Sequence, residues 1–488
     1  MRGIVISLFI ILINFGTFSQ VEENRIQKAI NNFAKSDGLE NAAITFMAYD
    51  LDSNVVLAQL NERLSISPAS TTKLFTTAAA FEILGKDFQP KTAFYITGDI
   101  DTSGVLQGDL IIRSLGDASL GSLYFYEEEE QHQFLRDWLN LISQKGIKSI
   151  NGQIIVDGSA FGYNGVPNGW AWSDMGNYYG AGPSASALYD NMTKLHFSTS
   201  NRVGGPTSLD SLTPNIPGYK LDNRVTTYNK NSDNAYIYGS PFSYDRFAIG
   251  NLPINRSNFE VKASIPDPEL LLAQTIHYSL DTFGITTSSP ATGRRIIEQN
   301  DDFRINYSEI THLFDYKGKT IEEIAFWTNM RSVNFFAEQL LSLIGYQTMG
   351  NGETTTSSNY LNQYWKNRLG VSMFQRDGSG LSRSNGFSAN HFIQLLTYMY
   401  QSDNFKVFES TFPIAGKSGT LTSLGRGQAI QGRLKAKSGT MNKIKSYAGY
   451  VDANNGHKIA FSITVNNYDL SHYQLVRKME QVFNTLVY

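Results

Sequence analysis

The stretch SPASTTKLFTTAAAFEILG, Ser67–Gly85, carries a serine and a lysine three positions apart, Ser70 and Lys73, at the head of an apolar run. Pro68 just ahead, an Ala/Leu/Phe-rich body and Gly85 at the end are helix start and stop signals. On a helix, positions i and i+3 share a face, so the Ser70 hydroxyl and the Lys73 ammonium become neighbours. The helix N-terminus adds a partial positive field at the serine. Free lysine titrates near 10.4, so a neutral Lys73 amine at pH 7 requires about 4 kcal/mol from its surroundings. Burial and a second nearby cation can supply that much. Alone the pattern is weak, because a capping serine followed by a solvated lysine is common.

A second signal lies downstream. The letters KSGT occur twice, in GKSGTL (Gly416–Leu421) and in AKSGTM (Ala436–Met441). Around the second copy Arg433, Lys435 and Lys437 alternate with Leu434, Ala436 and Ser438, the period of a strand. Gly439 would let a bound peptide backbone approach the edge of that strand closely. The first copy sits in FPIAGKSGTLTSLGRGQAIQGR, whose glycines and proline give loop composition. Its GKS letters invite comparison with a phosphate-binding loop, but the required first glycine falls at Thr411 and no βαβ context surrounds it.

The 488 residues exceed ordinary single-domain size, so two or more domains are expected. Hydrophobic content of 41% and charged content of 17% fit a globular protein with sizeable cores. A net charge of −3 without basic clusters argues against nucleic acid as a partner. The opening MRGIVISLFIILINFGTFSQ has a positive start at Arg2, an apolar run from Ile4 to Phe15 and a small-residue site at Thr17–Ser19. These are the parts of a cleaved secretory signal over residues 1–19, and the run is short for a membrane span. No later segment is long and apolar enough to span, so no integral membrane segment is expected in the mature chain. Cysteine is absent, which removes lipidation at a cysteine, disulfides, thiol catalysis and cysteine-type zinc sites. The seven histidines form no metal-binding pattern, so neither metal nor other cofactor is expected.

Segments 42–50 and 53–60 read as a hairpin, and residues 95–300 have the Gly, Asn, Ser and Tyr content and short alternating runs of a β-rich region. Helical texture returns in KTIEEIAFWTNM, VNFFAEQLLSLIG and SANHFIQLLTYMYQ. The C-terminus reads strand, turn, strand and helix, the last with Leu475, Met479, Val482, Phe483 and Leu486 on one face. One α/β catalytic domain, residues 20–95 and 300–488, interrupted by a β-rich insertion over 96–299 with two nested subdomains, accounts for this order.

The Ser70 helix resembles the nucleophile helix of class C low-molecular-mass penicillin-binding proteins, the D-alanyl-D-alanine carboxypeptidase/endopeptidase family. The resemblance runs along nearly the whole mature chain, through YDLDS, GDLIIRSLGDASL, GQIIVDGSAF, GWAWSDMGNYYGAGPSASALYDN, RSVNFFAEQLL, DGSGLSR and KSGTM with YAGYV, in the family's order. It implies a penicillin-binding/serine β-lactamase-like fold, an antiparallel sheet flanked by helices, and the motif trio S-x-x-K, S-x-N and K-T-G. For S-x-N the family's position, between two helices, selects Ser332 and Asn334 over the turn-like Ser232–Asn234 and Ser402–Asn404. Residues 415–421 match a family loop written AG-x-DGTL, with Ser418 where Asp is usual. Lys437 then belongs to the true triplet, and Ser438 replaces its usual threonine.

The resemblance also implies roles. Ser70 is the nucleophile, Lys73 the base, Ser332 the proton relay and Asn334 an amide contact to substrate and Lys73. Lys437 supplies positive potential, Ser438 and Thr440 hydroxyls for the substrate's terminal carboxylate, and the Ser70 and Thr440 amides an oxyanion hole. Asp174 resembles the acidic residue that reads the amino group of a diamino acid, and Arg383 its basic counterpart. On the residues alone, Asp174 is equally a cap and Arg383 a solvated loop charge. Met441 lines the site or ends the strand core. Trp170 and Trp172 read as packing residues ahead of sugar platforms. The implied enzyme is a periplasmic serine D,D-peptidase of peptidoglycan muropeptides, covalently inhibited by β-lactams. The alternatives are a β-lactamase-like hydrolase, against which the long segment between Ser70 and Ser332 argues, and a catalytically dead peptidoglycan-binding scaffold.

Overall fold

The computed structural model describes residues 25–300 and 304–487. The expected leader over 1–19 lies outside the described residues. The chain divides into two compact units: one holds the described residues up to Glu82, Ala325–Ser332 and Leu361 to the C-terminus, and the other Ile83–Ile324 with Val333–Tyr360. Sequence texture had put the borders of the insertion at 95/96 and 299/300.

The first unit is built on a five-stranded antiparallel sheet in the order Leu434–Met441, Ile444–Asp452, Lys458–Asn466, Ala43–Asp50, Val55–Leu60. The two ends of the chain therefore meet in its middle, with Thr45 opposite Thr464 and Ala48 opposite Phe461. The expected hairpin forms, Val55–Leu60 pairing with Ala43–Asp50. The strand bearing the second KSGT is an edge strand. Its tight turn, Asn442-Lys443, sets Met441 opposite Ile444 and Thr440 opposite Lys445.

The C-terminal helix His472–Thr485 and helical residues 25–34 cover one sheet face. Ile26, Ile30, Phe461, Leu475, Met479, Val482 and Phe483 form that core, and burying such side chains stabilises by roughly 1.5–3 kcal/mol each. On the nucleophile side the helix Lys73–Ile83 is buried along nearly its whole length. Its ring Phe75 packs on Trp365, Phe387 and Phe392. The threonines of this buried helix and of the turn leading into it each find a carbonyl: Thr72 Oγ1 donates to Ala69 O at 2.9 Å, Thr76 Oγ1 to Gly378 O at 2.8 Å and Thr77 Oγ1 to Lys73 O at 2.9 Å. Without those acceptors each buried hydroxyl would cost about 1–3 kcal/mol.

The second unit centres on a five-stranded mixed sheet, Thr292–Gly293, Ile154–Asp157, Leu110–Ser114, Lys91–Ile96, Thr311–Lys317. The helices Gln133–Gln144 and Pro268–Phe283 contribute Phe134, Trp138, Ile142, Leu272 and Ile276 to its core. These two helices lie within the region read as β-rich and were not singled out in the sequence. Their signals were present: apolar residues at helical spacing in QFLRDWLNLISQ, and Asp267-Pro268 at the start with Gly284 at the end of the other. A separate core of Leu195, Phe197, Val225, Ile237, Ala248, Leu252 and Val261 lies among strands of two three-stranded sheets. The helix Asn334–Met349 is buried on all sides over Phe335–Gly345, as its apolar run predicts.

Candidate active site

Ser70 does not open the α-helix itself. It lies in a 3-10 turn, Ala69–Thr72, from which the helix Lys73–Ile83 continues. In a 3-10 turn side chains at i and i+3 eclipse, which sets Lys73 directly over Ser70. Lys73 is fully buried; its Nζ donates to Ser70 Oγ at 3.0 Å and to the Ser379 carbonyl at 2.8 Å. Ser379 belongs to the DGSGLSR loop, which Asp377 holds by accepting from Gly380 N, Ser382 N and Asn385 Nδ2 at 2.6–2.8 Å. Nothing in the one-dimensional pattern marked that carbonyl as a partner of the lysine.

The approach to the nucleophile is strained. Ala69 has φ 50°, a left-handed conformation that costs a non-glycine residue on the order of 1 kcal/mol. Ser332 adopts φ 61°, also left-handed. Such outliers persist only where surrounding contacts hold them; one lies next to Ser70 and the other is Ser332 itself.

Lys437 is fully buried and donates to Ser332 Oγ at 2.8 Å and to the Ser438 carbonyl at 2.7 Å. Burial first, then the neighbouring cations Lys73 and Lys445, push its ammonium well below the ordinary lysine range. The two neighbouring cations thus favour the neutral amine of Lys437.

Gly439 has a reason beyond substrate approach. A Cβ there would lie 2.2 Å from Ser446 Oγ, 2.6 Å from Pro68 O and 2.9 Å from Ser70 N. The missing side chain thus lets the edge strand close on the nucleophile's own amide. Ser446 completes the contact, its Oγ donating to Pro68 O at 2.5 Å and lying 3.2 Å from Thr71 Oγ1.

The structure brings Ser70, Lys73, Ser332, Lys437, Ser438, Gly439 and Thr440 into the first unit. Ser438 is buried and donates to Thr420 Oγ1 at 2.9 Å, while Thr440 is exposed. Met441 ends the strand half-buried, and Arg383 is exposed. Asn334 and Asp174 belong to the second unit, where both meet Tyr179: Asn334 Nδ2 donates to its carbonyl at 2.8 Å, and its hydroxyl donates to Asp174 at 3.4 Å. Trp170 is buried, whereas Trp172 is 50% exposed against Tyr238 and Phe247.

The two KSGT copies are unlike objects. The first is a loop with a 3-10 turn at Gly419–Leu421, and Lys417 is exposed. Ser418 Oγ accepts from Ile414 N at 3.0 Å, closing the loop with an oxygen as an aspartate could. Both rejected S-x-N look-alikes have other occupations. Ser402 and Asn404 donate to Glu82, and Ser232 meets the Tyr228 hydroxyl. Two residues escaped the sequence reading. Thr420 receives the Ser438 hydroxyl. Lys445, buried on the neighbouring strand, donates to Thr440 Oγ1 at 2.8 Å. Alternation across a two-residue hairpin turn could have found Lys445.

This fold is that of the penicillin-binding and serine β-lactamase-like α/β proteins. Penicillin-binding protein 4 of Haemophilus influenzae shares it, at a TM-score of 0.76 and 21% identity, over 94% of this chain and 99% of that one. The model of the D-Ala-D-Ala carboxypeptidase 3 (S13) family matches residues 26–486, and the chain belongs to that family of serine-type carboxypeptidases. It is 26% identical to the D-alanyl-D-alanine carboxypeptidase DacB of Haemophilus influenzae over 88% of this chain and 86% of that protein. It is also 26% identical to the D-alanyl-D-alanine carboxypeptidase of Actinomadura sp. strain R39, over 91% and 81%. Among the described residues no helix is long and apolar enough to cross a membrane.

Proposed function

We propose that Ser70 is the nucleophile of a D,D-peptidase that removes terminal D-Ala from peptidoglycan muropeptides and cleaves their D-Ala-to-diamino-acid cross-links. The observation that carries this is the 3.0 Å contact between the buried Lys73 amine and Ser70 Oγ. Ser70 Oγ attacks the carbonyl carbon of the penultimate D-Ala while its proton passes to Lys73 Nζ. The oxyanion is received by the Ser70 and Thr440 amides, whose loss typically costs about 100- to 1000-fold each. The C–N bond then breaks, and the leaving amine takes its proton through Ser332, which Lys437 holds and polarises. Water attacks the resulting ester, returns the proton and frees Ser70.

Ser438 and Thr440 bind the substrate's terminal carboxylate. The roles of Asn334, Asp174, Arg383 and Met441 rest on the family resemblance. A β-lactam, whose strained amide mimics the scissile bond, acylates the same serine and stays. The enzyme works in the periplasm, delivered by the leader over residues 1–19; N-terminal sequencing of the exported protein should begin near Gln20.

Incubation with purified muropeptide monomers and dimers, read by mass spectrometry, should release D-Ala and convert dimers to monomers. Ser70→Ala should do neither and should not label with fluorescent penicillin. Labelling of that variant would remove Ser70 as nucleophile, and fast penicillin turnover by the native enzyme would replace the peptidase with a β-lactamase.

A further inference from the structure

Alternation along the edge strand Leu434–Met441 sends Lys437 and Gly439 to the Ser70 side and Ser438 and Thr440 to the other. The nucleophile lies on the first face. On the second, Thr440 stands opposite Lys445 and Ser438 opposite Tyr447. The Lys445 ammonium donates to Thr440 Oγ1 at 2.8 Å and lies 4.5 Å from the centre of the Tyr447 ring.

Two other lysines of this sheet find acids, while Lys437 is held by Ser332 and the Ser438 carbonyl. Lys435 pairs with Glu409 at 2.9 Å, and Lys458 with Glu409 at 2.7 Å and Asp452 at 2.6 Å. Lys445 is only 5% exposed, yet among the described residues no carboxylate faces it. The titratable groups that it acts on are bases, Lys437 on the adjacent strand and His472 at the head of the C-terminal helix, and burial together with Lys445 pushes both below their ordinary ranges. A buried ammonium without a counter-ion is costly, and a negatively charged ligand at its one hydroxyl partner offsets that cost. Thr440 Oγ1 accepts from Lys445, which leaves its own proton free to donate, and Thr440 is exposed at the strand edge. A charge behind the hydroxyl strengthens the bond it donates.

We propose that Lys445 is a specificity-determining positioning residue that, through Thr440, makes a free carboxylate on the leaving residue a requirement for tight substrate binding. This rests on the reading that Thr440 receives the terminal carboxylate. It extends the K-T-G triplet by one residue of the adjacent strand, and applies equally to the carboxylate of a peptide and of a β-lactam.

The test compares an N-acylated D-Ala-D-Ala peptide with its C-terminal amide on the native enzyme and on K445M, K445Q and K445R. The native enzyme should prefer the acid. K445M should raise KM for the acid about 10- to 100-fold, the size expected for one charge-assisted bond, with kcat changed only a few-fold. The amide should be nearly unaffected, so the acid-to-amide preference collapses. K445Q keeps a donor for Thr440 without the charge and should behave as K445M does; K445R should retain most of the preference. An unchanged preference in K445Q, or none in the native enzyme, overturns the proposal. Turnover of either peptide by Ser70→Ala would instead overturn the catalytic reading, so the two failures are distinguishable.

Discussion

Lys437 Nζ donates to Ser332 Oγ at 2.8 Å, joining two motifs 105 residues apart in the chain. Lys417, with the same three letters after it, is exposed in a loop. Lys437→Ala should therefore lower the rate of acylation by fluorescent penicillin by at least about 100-fold, the usual size of a lost electrostatic contact in a transition state. Lys417→Ala should keep the native rate within a few-fold. A reversed order would exchange the roles of the two copies.

Gly439→Ala sets a methyl against Ser446 Oγ, Pro68 O and Ser70 N, two of them rigid backbone atoms. Relief requires the edge strand to move away from the nucleophile. The variant should fold, losing about 1–3 kcal/mol as an overpacked site does. Its acylation rate should fall by about 100-fold or more, because the Thr440 amide moves with the strand. Urea denaturation beside penicillin labelling separates the two effects; native acylation in a folded variant would contradict the contact.

The two tryptophans of GWAW should behave differently. Trp170 is buried and Trp172 half-exposed. Trp170→Ala should cost about 3–5 kcal/mol, the range for emptying a core tryptophan site, and Trp172→Ala less than about 1 kcal/mol. Equilibrium denaturation midpoints of both variants check this, and equal losses would show that burial does not distinguish them.

Asp50 and His457 form a pair at 2.7 Å in the first unit. Burial alone would raise the Asp50 carboxyl, but bonds from His457, Ser53 and Asp52 outweigh it and hold the group below its ordinary value. The bond to Asp50 raises the His457 imidazole above 6.5. For a raised histidine the stabilisation is fully present below the unfolded value and disappears as pH rises through the folded one. For the lowered aspartate it is present above the unfolded value, 3.8, and disappears as pH falls through the folded one. Because His457 is partly exposed, the pair contributes at most about 1 kcal/mol. His457→Gln should thus lower Tm at pH 5.5 by on the order of 1 °C, and by less at pH 8.5. A larger loss at pH 8.5 would contradict the assignment.

The order of motifs, the alternation of the strand bearing Lys437 and the apolar face of the C-terminal helix were legible in the chain. They rest on local chemistry: side-chain alternation, capping groups and the backbone preferences of glycine and proline. Even the helices of the insertion, which were missed, left local marks around Asp267-Pro268 and Gly284.

What local chemistry could not decide is which like residue is buried against what. KSGT at 417 and KSGT at 437 have the same letters, and only long-range contacts bury one lysine against Ser332 and leave the other in water. The left-handed backbone at Ala69 and Ser332 opposes the ordinary preference of both residues and is held by tertiary contacts alone. The Ser379 carbonyl on Lys73 and the buried Lys445 without an acid likewise depend on packing between distant segments. Sequence by itself determined the family's motifs and their order; the tertiary structure decided their electrostatics, because desolvation and charge proximity are properties of the packed chain.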